Sequence, residues 1–297
     1  MHQENRAATG TGSVTGRALG VLEAFSPAAP VLTLTEISRR TGLPLTTAHR
    51  LVNELAGWGA LERGPEGGYR IGLRLWEIAA LAPRGLGLRE VALPHLSDLA
   101  RVTGENVQLA VREELCVVYV ERLAGCASVP VLTRVGGRFA LTPTSVGRVL
   151  LAYASADVQE RALAQRHVRY TERTECDPAR LRQVLAEVRQ TGVAVCERQV
   201  TMDSVSVAAP VHGPGHEVVA AVSVVAHVET VPAHTLVPLV QVAAAGISRA
   251  LGAVPPPPGA RARKRHLGAG GSRIRTDRKV TRPSGAPDSP MSTGTGP

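Results

Sequence analysis

The sequence predicts an α+β protein: an N-terminal winged helix-turn-helix unit, a helical linker and a larger C-terminal α+β body. Three features carry that expectation. A capped helix, a tight turn and a second helix are legible across 33–57, and an alternating hairpin pattern follows to residue 74. Beyond residue 104, valine-rich runs are interleaved with amphipathic helical periods.

In chain order, residues 1–15, with the stretch T-G-T-G-S-V-T-G, read as a flexible arm. The G-x-G inside it has no strand before it and no G-K-S/T after it, so it lacks the parts of a phosphate-binding loop. Ala18, Val21, Leu22 and Phe25 then form a helical stripe that opens a winged unit over 16–82. Thr33 and Glu36 make an S/T-x-x-E box, in which each side chain satisfies an amide left unpaired at a helix start, so a helix begins at about Leu34. Gly42 stands where a left-handed residue stops that helix, and Pro44 where a first turn accepts proline.

In the next helix, about 44–57, Ala48, Leu51, Val52 and Leu55 give one buried stripe and leave Thr46, Thr47, His49, Arg50 and Asn53 on the other face. Hydroxyls, an imidazole, a guanidinium and an amide can all hydrogen-bond phosphates or base edges, and only Glu54 nearby is acidic. Leu61 and Arg63, a Gly/Pro turn at 64–68, and Tyr69, Ile71 and Leu73 alternating with Arg70 and Arg74 read as a hairpin wing. Two helices alone are equally an ordinary αα corner. The further helix and the wing favour a DNA-binding unit.

Four blocks make the chain similar to a known family, the IclR-type bacterial transcriptional regulators. They are T-E-I-S-R-R-T-G-L-P-L-T-T-A-H-R-L-V at 35–52, Y-R-I-G-L-R at 69–74, L-T-P-T-S-V-G-R-V-L-L-A at 141–152, and V-A-A-P-V followed by V-V-A-A-V-S-V within 207–224. The blocks keep the family's order across about 17–251. The resemblance implies a ligand-responsive transcription factor whose larger domain is GAF-like.

After the wing, Leu73, Trp76 and Ala80 open a helical period that A-P-R-G-L-G at 82–87 breaks, which places a domain boundary there. A linker helix within 83–103 presents Val91, His95, Leu99 and Val102 along one side, a natural place for two subunits to meet. The body, 104–254, offers strand-like runs at 106–112, 116–122 and 129–135, then a hydroxyl-capped helix at 144–153 and helices at about 157–165 and 178–191, the last N-capped by Asp177. Strands at 193–196, 205–211 and 218–225 lead to a final helix with the stripe Leu236, Leu239, Val240, Ala243, Ile247, Ala250 and Leu251. A mainly antiparallel sheet flanked by helices is the natural packing.

Composition bounds the partners. A length of 297 residues with 44% hydrophobic content suits about two domains. The net charge of +9 looks like a nucleic-acid signal, but 255–297 hold nine Lys+Arg against two acids, a charge of +7, leaving +2 for 1–254. The body contains no lysine, so cationic phosphate contacts from it must come from arginine or histidine. The tail, rich in Pro, Gly, Ser and Arg, is expected to be disordered, and is either a nonspecific electrostatic grip on DNA or an extension without a role. Cys116, Cys126, Cys176 and Cys196 include no C-x-x-C pair, no signal peptide precedes them and no apolar run is long enough to span a bilayer. Free thiols in a reducing cytoplasm are expected, with no membrane partner.

No nucleophile elbow, H-E-x-x-H helix or Walker loop is present, and the His212–His216 pair lies in a Gly/Pro turn rather than on a helix. No catalytic residue, metal or cofactor is therefore expected. Small polar side chains do recur among apolar strands and at a helix start: Thr144, Ser145, Cys196, Ser204, Ser206 and Ser223. An apolar wall with a few convergent polar groups describes a small-molecule pocket, and a serine bonding its own backbone in a core describes the same residues equally well. The resemblance implies the pocket. It carries Ser145 and Val146 to the helix-start contacts, Cys196 to a position often acidic, and Ser204, Ser206 and Ser223 to the strands of the cup. Two departures stand out: Ser206 where the family often has cysteine, and Asp203 where it often has glycine, at the pocket rim. An organic or aromatic acid is the family-level expectation for the effector, with Arg134 or Arg138 able to pair with its carboxylate.

The expected function is that of a homodimer or dimer of dimers, a repressor more than an activator, binding a pseudo-palindromic double-stranded operator under control of a small effector. An enzyme with a DNA-binding appendage needs a catalytic constellation that is not found. A protein-docking winged helix predicts an apolar face on the helix at 44–57.

Overall fold

The structure, a computed structural model, describes residues 12–126 and 128–253. The expected arm up to residue 11 and the expected tail at 255–297 lie outside the described residues. The end of the expected arm is instead the start of helix α1 (Val14–Glu23), because the Ser13 hydroxyl accepts the Gly16 amide at 2.9 Å and caps it.

Helix α2 (Leu34–Thr41) opens with the expected box: the Glu36 amide donates to the Thr33 hydroxyl at 3.3 Å and the Thr33 amide to the Glu36 carboxylate at 2.8 Å. The Thr33 amide holds the Glu36 carboxyl below its usual range. Gly42, at φ 67°, ends α2 in the left-handed conformation. Helix α3 (Leu45–Trp58) begins one residue later than expected, since extended Pro44 (ψ 142°) is the cap itself. Val21, Ile37, Leu51, Val52 and Leu61 close the small core beneath these helices. Leu51 is fully buried there. Leu51→Ala is expected to destabilise the N-terminal unit by about 2–5 kcal/mol, read by chemical denaturation; a loss below ~1 kcal/mol would place that core elsewhere.

The wing has three strands, β1 (Val31–Leu32), β2 (Leu61–Arg63) and β3 (Tyr69–Ile71), in the order β1-β3-β2. At two residues, β1 is too short to show alternation. Leu73 and Arg74, expected in the hairpin, belong to α4 (Leu73–Ala79). Gly72 makes that turn: its amide donates to the Ala60 carbonyl at 2.8 Å, and a Cβ there would strike the Gly59 carbonyl oxygen.

At 82–87 a short π-helical turn, Pro83–Gly87, runs straight into α5 (Leu88–Thr103). The buried side of α5 is Leu88, Ala92, Leu96 and Leu99, one position away from the expected stripe. Val91 and His95 flank this seam and Val102 is exposed. Small Ala92 faces the packed helix, and the His95 ring lies over Gly246, where a Cβ would meet it at 2.7 Å.

The body is one antiparallel six-stranded sheet in the order β6-β5-β4-β9-β8-β7. Its strands are β4 (Asn106–Glu113), β5 (Cys116–Leu123), β6 (Arg138–Ala140), β7 (Ala194–Glu197), β8 (Ser204–His212) and β9 (Val218–His227). Alternate residues supply two cores. Val107, Leu109, Val207, Val222 and Val224 pack under α5 and α9 (Ala233–Ala250). Ala110, Tyr119, Ala208 and Ala221 pack under α6 (Ser145–Ala152) and α8 (Pro178–Thr191), with α7 (Ala156–Leu163) beside them. The last helix buries Leu236, Val240, Ala243 and Ile247 as expected, while Ala250 is exposed.

The expected strand at 129–135 does not form. Pro130 removes a ladder donor, and the sheet edge beside β5 is taken by β6 instead. Side chains of the sheet hold the segment. Asn106 Nδ2 donates to the Val129 carbonyl at 2.8 Å, Gln108 Nε2 to the Thr133 hydroxyl at 2.6 Å, and Arg122 Nη1 to the Thr133 carbonyl at 3.3 Å. The 129–133 segment thereby becomes a strap across one face.

Candidate functional site

Thr46, His49, Arg50 and Asn53 are exposed along one side of α3, and Thr47 is half-buried at its edge. Positions 46, 50 and 53 recur at helical spacing, opposite the buried Ala48, Leu51 and Val52. An exposed face bearing these groups is chemically able to read base edges and hold phosphates. Its apolar residues, Leu45 and Trp58, stand only at the two ends, which is not the apolar face that protein docking predicts.

Each arginine expected to contact DNA is already engaged. Arg50 pairs with Glu54 one turn along at 2.8 Å, both half-exposed. Arg70, on β3, reaches Glu62 of β2 at 2.8 Å, and Glu62 also accepts the Leu73 amide. That amide, followed by Arg70, holds the Glu62 carboxyl below its usual range. Arg74 pairs with Glu77 at 2.6 Å and lies 5.9 Å from the Trp58 ring, so it sits beside the end of α3 and not on the wing. His49 lies within 3.2 Å of the Asn53 amide. Surface pairs of this kind contribute little to folding and can be exchanged for phosphate.

The other site is a cleft of about 510 Å³, counting space open to solvent, between the strap, the start of α6 and the strands β7–β8. Thr144, Ser145, Val146, Cys196, Ser204 and Ser206 all line it. Thr144 is the N-cap of α6, its hydroxyl accepting the Gly147 amide at 3.1 Å, and this positions Ser145 and Val146 at the rim. The register places Cys196 opposite Ser206, and Ser206 opposite Val225. Ser204 has a local partner as well, since its hydroxyl accepts from the Thr201 hydroxyl at 2.8 Å.

Ser223 is a correction, because it does not line the cleft. It shares the face of Val225 but lies two residues earlier in β9, between Gln108 of β4 and Ala208 of β8 in the register, with its hydroxyl buried and unpartnered. Arg134 and Arg138 are exposed and outside the cleft, and Asp203 faces solvent. Sequence reasoning missed Gln108, Tyr119, Thr133, Phe139 and Gln199, which also line the cleft. A glutamine inside the apolar run V-Q-L-A-V was the available signal. Burial pushes the Tyr119 phenol well above its usual range, against the opposing hydrogen bond with Thr144, so it stays protonated. Burial also pushes the Cys196 thiol up, with Arg148 opposing, so it is a neutral wall atom.

A second, larger cleft of about 1150 Å³, counting space open to solvent, is lined by Leu88, Arg112, Leu150, Tyr153, Pro214 and Leu251 among others and holds none of the hydroxyl and thiol residues singled out in the sequence. His212 ends β8 and His216 lies in the turn that follows, with His212 Nδ1 3.1 Å from the His216 carbonyl. Among the described residues no group of three His, Cys, Asp or Glu could hold a metal, and no helix is long and apolar enough to cross a membrane.

Comparison with known proteins covers both halves. Residues 14–65 match the IclR helix-turn-helix domain and residues 81–249 the bacterial transcriptional regulator IclR C-terminal domain. The HTH-type transcriptional regulator XynR of Escherichia coli is 30% identical over 209 residues, 70% of this chain and 83% of that protein. The glycerol operon regulatory protein of Streptomyces coelicolor is 30% identical over 80% of this chain and 95% of its own length. An IclR homologue from Microbacterium hydrocarbonoxydans, solved with 4-hydroxybenzoate, superposes with a TM-score of 0.77 at 36% identity, covering 80% of this chain and 99% of that one. An exposed polar helix on a winged unit, a cleft with several hydroxyls in its apolar wall in an α+β body and matches across both halves lead to one conclusion: this chain belongs to the IclR family of bacterial transcriptional regulators and is a DNA-binding regulator modulated by an effector.

Proposed function

We propose that the protein represses transcription as a homodimer or dimer of dimers on a pseudo-palindromic operator. In this reading Thr46, Thr47, His49, Arg50 and Asn53 of α3 enter the major groove, and Arg70 and Arg74 hold the flanking backbone. The exposed polar side of α3 is the observation that carries it. The effector is a small organic acid, with aromatic acids first in line, because the 36%-identical homologue was solved with 4-hydroxybenzoate and the cleft is walled by Tyr119 and Phe139. Phe139 stacks on Tyr170 at 5.1 Å, which gives that wall a rigid aromatic edge. An effector acts only through unequal affinity for the DNA-competent and DNA-incompetent arrangements.

The test is footprinting on the DNA flanking the gene, with and without 4-hydroxybenzoate. A two-fold symmetric footprint that weakens with ligand supports the reading, and protection without symmetry sinks the dimer. The proposal for 255–297 is separate. With nine Lys+Arg against two acids, these residues neutralise DNA phosphates of their own. Deleting them is expected to flatten the salt dependence of nonspecific binding by up to about 0.9 in slope for every phosphate left un-neutralised, with operator choice unchanged. A changed site preference would mean the tail reads sequence.

A further inference from the structure

No charged side chain lines the cleft, yet a guanidinium lies directly behind its wall. Arg148, in the first turn of α6, is 4% exposed. Its Nε donates to the Thr142 carbonyl at 2.7 Å and its Nη2 to the Gln199 Oε1 at 2.7 Å. No carboxylate among the described residues pairs with it. Carbonyl dipoles satisfy a guanidinium's donors without cancelling its charge, and a buried cation without a counter-charge is costly.

Two of its neighbours are cleft wall, Gln199 by direct hydrogen bond and Cys196 within reach of its charge. Gln199 is held rigidly: its Oε1 also accepts the Glu175 amide at 2.9 Å, its Nε2 donates to the Arg173 carbonyl at 2.7 Å, and its own carbonyl accepts from Thr174 at 2.7 Å. Arg148 therefore fixes the 199–201 wall while projecting an uncompensated positive field through it. The N-terminal end of α6, with Thr144, Ser145 and Val146 at the cleft, adds a partial charge of the same sign.

We propose that Arg148 is the specificity-determining charge of the cleft: without touching the effector, it selects an anionic head over a neutral one of the same shape. The assignment rests on the cleft being the effector site, and it is testable apart from that reading. The probes are 4-hydroxybenzoate and its neutral isostere 4-hydroxybenzamide, titrated by calorimetry at low salt into the full chain. The unsubstituted protein is expected to prefer the benzoate by about tenfold. Arg148→Met should bring the two affinities to within about threefold of each other, mainly by weakening the benzoate. Arg148→Lys, which keeps the charge and alters the hydrogen bonds, should retain most of the preference. Arg148→Gln serves as the neutral variant if the methionine substitution unfolds the domain.

A neutral variant that keeps the preference overturns the proposal, and so does equal weakening of both probes, which would mark Arg148 as a support for Gln199 alone. Wild-type binding of the benzamide in preference to the benzoate overturns it with the cleft reading intact. Binding of neither overturns the proposal together with the reading of the cleft as an aromatic-acid site.

Discussion

Arg50→Ala is expected to lower operator affinity by roughly five- to 150-fold per recognition helix, with fold and oligomeric state unchanged. The asymmetry follows from where the side chain sits. Arg50 is half-exposed and its ion pair is with Glu54 on the same helix. An exposed i,i+4 pair contributes about 0.3–0.5 kcal/mol to folding, so its removal leaves the core intact. A guanidinium bidentate to guanine contributes about 1–3 kcal/mol of discrimination. Fluorescence anisotropy with operator and scrambled duplexes separates the two effects, alongside a thermal melt. Unchanged operator affinity would remove Arg50 from the reading face. An equal loss on both duplexes would make it a phosphate contact.

Gly147→Ala is expected to disable the effector response while sparing DNA binding. Alanine normally favours a helix over glycine, but here the added methyl would strike the Leu141 carbonyl oxygen and crowd the Thr144 hydroxyl that caps the helix. Relief requires the first turn of α6 to move off the Leu141–Thr144 segment, shifting the Ser145 and Val146 rim of the cleft. Overpacking of this kind costs about 1–3 kcal/mol, enough for roughly a fivefold or greater loss of ligand affinity. Calorimetry with 4-hydroxybenzoate checks it, with operator binding as the control. Undiminished ligand affinity would show that α6 has room to yield.

Periodicity exposed the parts of the fold that repeat over several turns or strands. α2, α3, α6, α8 and the strands β4, β5, β7, β8 and β9 of the large sheet stand close to where the sequence puts them, while β6 takes the edge that 129–135 was expected to occupy. The misses are local contests. Residues 129–135 are valine-rich but contain Pro130, and Asn106, Gln108 and Arg122 capture them as a strap. α5 turned by one position because Ala92 and Gly246 allow close helix packing, a long-range fact invisible to a single helical stripe. At the cleft, the hydroxyls near the α6 start and on β8 were legible as small polar groups in apolar surroundings. Ser223 shares that chemistry and sits too deep, and Gln199 comes from a loop with no pattern to betray it.

Arg50, Arg70 and Arg74 each keep an acidic companion in the free protein. At these three positions a duplex meets short dipoles instead of bare cations, so they draw it in weakly at long range and add little salt dependence to its arrival beyond what the basic tail contributes. In the proposed complex the guanidiniums trade carboxylate for phosphate or base, and leaving means reversing each exchange. Selectivity from this face accordingly resides in how long the complex lives, not in how often it forms.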